Sequence, residues 1–148
     1  MGQRIAVQKQ QWWPITAMAQ ANLRSAGLDV GLHLNLTQPY DGATPLCQAQ
    51  ALQDRLIRFL TLTNYSVLIY HPGLRSTLRE VYEMQVAEFH RIYGRAPSHF
   101  DGHHHMHLTA NMLFDGVIPR GQRVRRSFSF WPGEKPLLNR LYRRIVDA

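Results

Sequence analysis

Leu28-Asp29-Val30-Gly31-Leu32-His33-Leu34-Asn35-Leu36-Thr37 is the stretch that decides the fold. Leu28, Val30, Leu32, Leu34 and Leu36 alternate with Asp29, Gly31, His33, Asn35 and Thr37. A period of two puts five apolar side chains on one face of a β-strand and His33 and Asn35 on the other. The apolar face is expected to pack on helices, with the five apolar residues more buried than Asp29 and Asn35. The opposite face is then free to line a polar site.

Outward from that strand, helical and extended patterns alternate. Upstream, residues 1–13 carry no clear pattern, and Pro14 to Ala26 reads as a helix with Pro at its first turn and Gly27 as its stop. Downstream, residues 38–47 form a loop with Pro39, Asp41-Gly42 and Pro45. A helix follows from about Ala49 to Leu60, with Leu52, Leu56, Phe59 and Leu60 on one side. Tyr65 to Tyr70 is apolar but too short to assign, and His71-Pro72-Gly73 breaks the chain. The longest amphipathic pattern runs from about Leu78 to Tyr93. Thr77 and Glu80 have capping-box spacing, Leu78, Val81, Tyr82, Phe89, Ile92 and Tyr93 form its apolar stripe, and Gly94 ends it. Pro97 introduces a short strand, Ser98 to Asp101. A helix starts near Thr109, a strand covers Gln122 to Phe130, and a last helix covers Leu137 to Val146. Alternating strands and helices predict an α/β fold, an incomplete TIM-like (β/α) barrel of parallel strands within a single partial domain spanning residues 1–148.

Composition narrows the class. The chain has 148 residues, 45% of them hydrophobic, which is enough for one packed core and too apolar for a disordered chain. No apolar run approaches the roughly 20 residues that span a bilayer, and Met1 to Gln11 lacks the apolar segment of a signal peptide. Cys47 is the only cysteine, which excludes an intrachain disulfide and any multi-thiolate metal site and fits a cytoplasmic location. The net charge is +7. From residue 120 onward, Arg120, Arg123, Arg125, Arg126, Lys135, Arg140, Arg143 and Arg144 are opposed only by Glu134 and Asp147. That surplus reads better as solvated surface than as a nucleic-acid patch, because no nucleic-acid-binding motif organises it.

The chemistry concentrates elsewhere. Five of the eight histidines fall between His99 and His107, just past a predicted strand end, where α/β enzymes place catalytic groups. Neutral imidazole is the commonest side-chain ligand of Zn²⁺ and similar ions. A catalytic metal site takes about three protein ligands and keeps a position for water, which the cation acidifies into a nucleophile. A lone histidine is more often a hydrogen-bonded structural group. This cluster, with His33 on a separate strand, points to metal. If the second strand continues through the cluster, His103 and His105 share a face and His104 points away; periodicity alone does not choose the ligand. Asp101 is placed to orient an imidazole or act on a proton, and Asp101 and His105 stand as the candidate catalytic groups. Asn35 and Thr37 read as strand-end polar groups, His71 as a turn residue, His90 as solvated, Asp115 as structural and Cys47 as an unactivated loop thiol. Trp131 reads as a packed loop anchor rather than a sugar platform.

Two segments carry a resemblance. Gly31-Leu32-His33-Leu34-Asn35-Leu36-Thr37 is similar to the G-x-H-x-x-L-T strand of the YdjC-like carbohydrate deacetylases, which include the diacetylchitooligosaccharide deacetylases and the hopanoid-biosynthesis members. Gly94-Arg95-Ala96-Pro97-Ser98-His99-Phe100-Asp101-Gly102-His103-His104-His105-Met106-His107 is similar to their G-R-x-P-x-H-x-D-[SG]-H-H-H-x-H segment. The resemblance runs in order over roughly residues 15–145. It implies that His33 and His103 are metal ligands, and that the metal is Mg²⁺, although two imidazoles suit Zn²⁺ or another transition metal at least as well. It implies hydrolysis of an N-acetyl group on an amino sugar, so an N-acetylated sugar is the expected partner and a membrane is not. A second copy of the chain, as a homodimer, is compatible with it. Members of the family open on a strand ending in Asp-Asp-Phe-Gly, which supplies the third ligand and a base. Here no Asp or Glu precedes Asp29. The expectation is therefore a chain truncated at both ends relative to the family, with weak metal binding and little turnover on its own, or a remnant that binds metal or sugar without catalysis.

Overall fold

The computed structural model describes residues 4–6, 29–39, 47–63 and 65–126. The expected helices at 14–26 and 137–146, Leu28 and Trp131 lie outside them.

The centre is a parallel sheet. β1 (Arg4–Ala6), β2 (Asp29–Leu34) and β3 (Phe100–Gly102) lie in the order β1-β2-β3. β1 pairs with β2 as Arg4 opposite Asp29 and Ala6 opposite Gly31. β2 pairs with β3 as Leu32 opposite Phe100, His33 opposite Asp101 and Leu34 opposite Gly102. On the far side of β3, Val124 forms a single parallel bridge to Phe100, flanked by bonds from Phe100 N to Arg123 O and from Arg125 N to Phe100 O. That bridge is the described part of the strand expected over 122–130. Parallel strands in sequential order with intervening helices are the arrangement of a (β/α) unit. Barrel closure is absent among the described residues, so the fold is a mixed α/β arc of parallel strands.

Helices α1 (Cys47–Leu60) and α2 (Arg75–Tyr93) connect β2 to β3. They cover the even-numbered face of β2, where Val30, Leu32 and Leu34 join Leu56, Leu60, Leu78, Val81, Phe89 and Phe100 in one core. Tyr82 packs on Phe100 and Phe89 on Tyr93, with ring centroids 5.6 and 4.4 Å apart. Gly94 ends α2 in the left-handed conformation, φ 66°, its N–H donating to His90 O. Glycine suits that position because it carries no Cβ.

Two local expectations are corrected. The Thr77–Glu80 capping box does not form: α2 starts earlier, at Arg75, after a 3-10 turn over Pro72–Leu74, and Thr77 is buried inside it. Cys47 begins α1 rather than sitting in the preceding loop. Asn35 is less buried than Val30, Leu32, Leu34 and Leu36, as expected, yet is only 8% exposed. β2 has ended by then, and the chain bends under a set of amides. Gln85 of α2 accepts from Asn35 N and donates to Asn35 O; Gln53 of α1 donates to Asn35 O and Gln38 O; Asn35 Oδ1 accepts from Gln38 N. Buried polar groups need such partners, and these tie the end of β2 to both helices.

The remaining segments follow the same logic. Tyr65–Tyr70 forms one 3-10 turn, Ser66–Leu68, with Tyr65 and Ile69 exposed. Thr109 caps α3 (Ala110–Phe114), its Oγ1 accepting from Met112 N. Asn111 brackets the backbone of His71, accepting from its N–H and donating to its carbonyl. Asp115 holds Tyr70 and Asn111, the structural role expected of it. Among the described residues no helix is long and apolar enough to cross a membrane.

Candidate metal centre

The site lies where β2 and β3 end. Register places His33 directly opposite Asp101, and both point to the odd-numbered face, away from the helices. His33 Nδ1 lies 2.7 Å from Asp101 Oδ1. An ionised carboxylate only accepts, so Nδ1 carries the proton and donates. Nε2 is thereby left with a lone pair. It is buried and has no hydrogen-bond partner among the described residues.

Beyond Gly102 the strand does not continue. His103–Leu108 forms 3-10 turns, with His104 and His105 in the left-handed region at φ 49° and 60°. Neither is glycine, so each conformation costs on the order of 1–3 kcal/mol, and such outliers cluster at functional sites. The kink replaces the alternation expected from an extended cluster. The His103 ring, just before it, stands edge-on to His33, with centroids 5.1 Å apart. His103 Nδ1 is also buried without a partner. His104 stacks on His103 and is exposed; the His105 ring neighbours His107 at 5.9 Å.

The structure thus brings His33, Asp101 and His103 together, with His105 one turn further along. It adds two residues that sequence reasoning did not single out. Arg125 reaches Asp101 Oδ2 with Nη1 at 3.4 Å, and its carbonyl accepts from His107 Nε2. His107 is almost fully buried against Gly102. In the sequence Arg125 is one of several late arginines; only the pairing of Val124 with Phe100 places it here.

Electrostatics suit a neutral imidazole pair beside a charged carboxylate. Burial pushes Asp101 up, but the hydrogen bonds and charge of His33 and Arg125 outweigh it and hold the carboxyl below the usual range. Burial, helped by His33 and His104, pushes His103 down against a smaller pull from Asp101. Burial pushes His107 down more than its bond to the Arg125 carbonyl raises it.

These shifts share one sign. Between the lowered folded values and the ordinary histidine value near 6.5, the unfolded chain binds more protons than the folded one. Stability from His103 and His107 is full above about pH 6.5 and declines as pH falls through it. Asp101 adds a second loss as pH falls from about 3.9 through its lowered value. Denaturant titrations of chelator-treated protein should show stability dropping between about pH 7 and 5, less steeply in His107→Asn. A flat profile over that interval would contradict the burial of neutral imidazoles.

Among the described residues no group of three His, Cys, Asp or Glu side chains assembles as a metal cage. His33 Nε2 and His103 Nδ1 stand nearest the strand ends, His107 Nδ1 is likewise buried without a hydrogen-bond partner among the described residues, and Asp101 Oδ1 is committed to His33. This carboxylate–histidine pair is the arrangement by which metal sites fix the tautomer and orientation of a ligand.

The sequence pattern of the family described as YdjC-like protein matches residues 8–144, nearly the whole chain. No curated protein and no solved structure matches the chain.

Proposed function

The chain belongs to the YdjC-like family, and from that premise we propose that it hydrolyses the N-acetyl group of an amino sugar at a divalent-metal centre held by His33 and His103. One observation carries the reading. His33 has one nitrogen fixed on Asp101 and the other buried without a partner, facing a second imidazole in the same condition. Apolar packing gives no reason to bury two lone pairs this way.

A cation held by His33 and His103, Mg²⁺ by family or Zn²⁺ by the chemistry of two imidazoles, would supply Lewis acidity toward the acetyl carbonyl and a water. The chain's own residues do the rest. His33 offers Nε2 because Asp101 holds the proton on Nδ1. Asp101 stays ionised because Arg125 balances it, and the low affinity of His103 for protons keeps its lone pair available. His105, on the strained turn, is the group we assign to moving a proton to the leaving amine.

A second reading is a module that binds metal or sugar without turnover. The absence of a third donor beside the pair among the described residues favours it. Acetate release from N-acetylglucosamine oligomers, with Mg²⁺ or Zn²⁺ and after chelation, separates the two. It should be run on the chain and on a version extended by an N-terminal strand ending in Asp-Asp. Deacetylation predicts metal-dependent acetate release that rises on extension and is lost in His103→Ala. Metal binding with no acetate from either version selects the second reading. No metal binding by either sinks the deacetylase, and no binding of metal or of the oligomers sinks both.

A further inference from the structure

The turn between α1 and α2 is built with its polarity reversed. Ser66 is buried, its hydroxyl bonded to Thr63 N and Thr63 Oγ1, while Tyr65, Leu68 and Ile69 stand out in solvent. A turn shaped by water alone buries its apolar residues and exposes its serine. The reversal extends past the turn. Among the described residues, every large apolar side chain left exposed except Val124 lies in two short segments, 62–70 and 113–114. The two segments are tied together. Tyr70 stands edge-on to Phe114 with centroids 6.1 Å apart and donates to Asp115, and Asn111 brackets the backbone of the next residue, His71. Leu62, Tyr65, Leu68, Ile69, Tyr70 and Phe114, between 42% and 80% exposed, make one apolar surface. Exposed leucines scattered singly need no explanation, whereas a gathered apolar surface marks an interaction site.

The charge around it has one sign. Residues 55–79 contain Arg55, Arg58, Arg75 and Arg79 and no Asp or Glu. Three of these arginines are tied to the same surface: Arg55 donates to Gly73 O, and Arg75 and Arg79 reach Asp115. Asp115 offers no opposing charge to solvent, because its side chain is buried and bonded to Tyr70 and Asn111. We propose that this surface docks on an anionic lipid bilayer, with Leu62, Leu68, Ile69 and Phe114 at the boundary of headgroups and acyl chains and the arginines among the headgroups. A second copy of the chain would fit the apolar part, but it would set arginines against arginines in a chain that carries a net charge of +7. An anionic bilayer matches both parts. Tyrosine suits the boundary because its ring is apolar and its hydroxyl wet. Arginine lays its stem on apolar surface and keeps its guanidinium with phosphate. No helix among the described residues is long and apolar enough to cross a bilayer, so the surface rests on the headgroups. It includes none of His33, Asp101 and His103, so docking stands or falls independently of the deacetylase reading.

Flotation of the full chain with lipid vesicles is the test. Vesicles with about one third phosphatidylglycerol should bind it at least about tenfold more tightly than phosphatidylcholine alone, since each arginine near the surface contributes about fivefold, and the excess should fade at high salt. Tyr65→Ser/Ile69→Ser should weaken binding to the anionic vesicles at least about tenfold, with the melting temperature at the parent value because both side chains are exposed. Phe114→Ser, on the other segment, should act in the same direction. Arg55→Gln/Arg79→Gln should lose most of the preference for anionic lipid while keeping the weaker binding to neutral lipid. No binding to the anionic vesicles overturns the proposal. Binding that survives both serine variants also overturns it, by placing the contact on other basic residues. A concentration-dependent dimer abolished by Tyr65→Ser/Ile69→Ser, without vesicle binding, would give the surface to a second copy and overturn it as well.

Discussion

Replacing His33 by Ala is expected to remove divalent-metal binding by this chain, and with it any metal-dependent acetate release, while leaving a folded protein. The imidazole does two jobs that alanine cannot. Its Nε2 is buried without a hydrogen-bond partner among the described residues, and its Nδ1 donates to Asp101. Loss of that hydrogen bond to a charged acceptor costs about 1.5–3 kcal/mol, softened because Arg125 still reaches Asp101. Asp101→Asn separates the two jobs. It keeps the ring of His33 but loosens its tautomer and orientation, and should weaken metal binding by roughly 10–100-fold. The order parent, Asp101→Asn, His33→Ala in decreasing affinity is the expected result, read by calorimetry with Zn²⁺ alongside thermal melts of the metal-free proteins. Unchanged Zn²⁺ affinity in His33→Ala would show that the imidazole pair is a packing feature and not a metal site.

The two halves of that centre differ in how far local sequence reveals them. β2 is legible because its leucines and valine alternate, and α2 because its apolar stripe repeats at helical spacing and Gly94 stops it. Asp101 facing His33 is not legible from periodicity: it follows from a register between strands 68 residues apart, which only the assembled sheet sets. β1 escaped notice because Arg4-Ile5-Ala6 is too short to show a period. The histidine turn misled for a different reason. A cluster after a strand reads as extended, and left-handed backbone is expected at glycine or asparagine, not at two consecutive histidines. Local preference is overridden there, directly after the His103 ring that stands against His33. Asn35 is also set by tertiary contacts: alternation puts it opposite the apolar face, and Gln53 and Gln85 from two helices make its burial favourable. Nothing in the sequence marks Gln53 or Gln85 for this role, because the pattern of a helix does not say which polar group will meet a strand end.

Gly31→Ala is the second large effect, and it tests the coupling between the strand pair and the site. Gly31 shares a face of β2 with His33, and His99 precedes Asp101 by two residues at the start of β3. The His99 ring lies directly over Gly31: an added Cβ would stand 2.5 Å from Cε1 and closer still to Nε2 and Cδ2. The ring is held there, with Nδ1 2.9 Å from Ser98 Oγ and 3.8 Å from Asp29. Alanine in place of glycine in a strand gains about 0.5–1 kcal/mol of backbone entropy, while overpacking costs typically 1–3 kcal/mol. The overpacking term should win, lowering the melting temperature by about 2–4 °C per kcal/mol for a chain of this size. Because His99 and Asp101 ride on one short segment, displacing the ring should also disturb the His33–Asp101 bond and weaken Zn²⁺ binding. His99→Ala in the Gly31→Ala background removes the clash, so the double variant should recover stability relative to Gly31→Ala, giving a coupling of about 0.5–3 kcal/mol. A Gly31→Ala protein with the parent's melting temperature and Zn²⁺ affinity would mean that His99 swings aside freely, and that glycine at this position reflects neither close packing nor the alignment of the two strands.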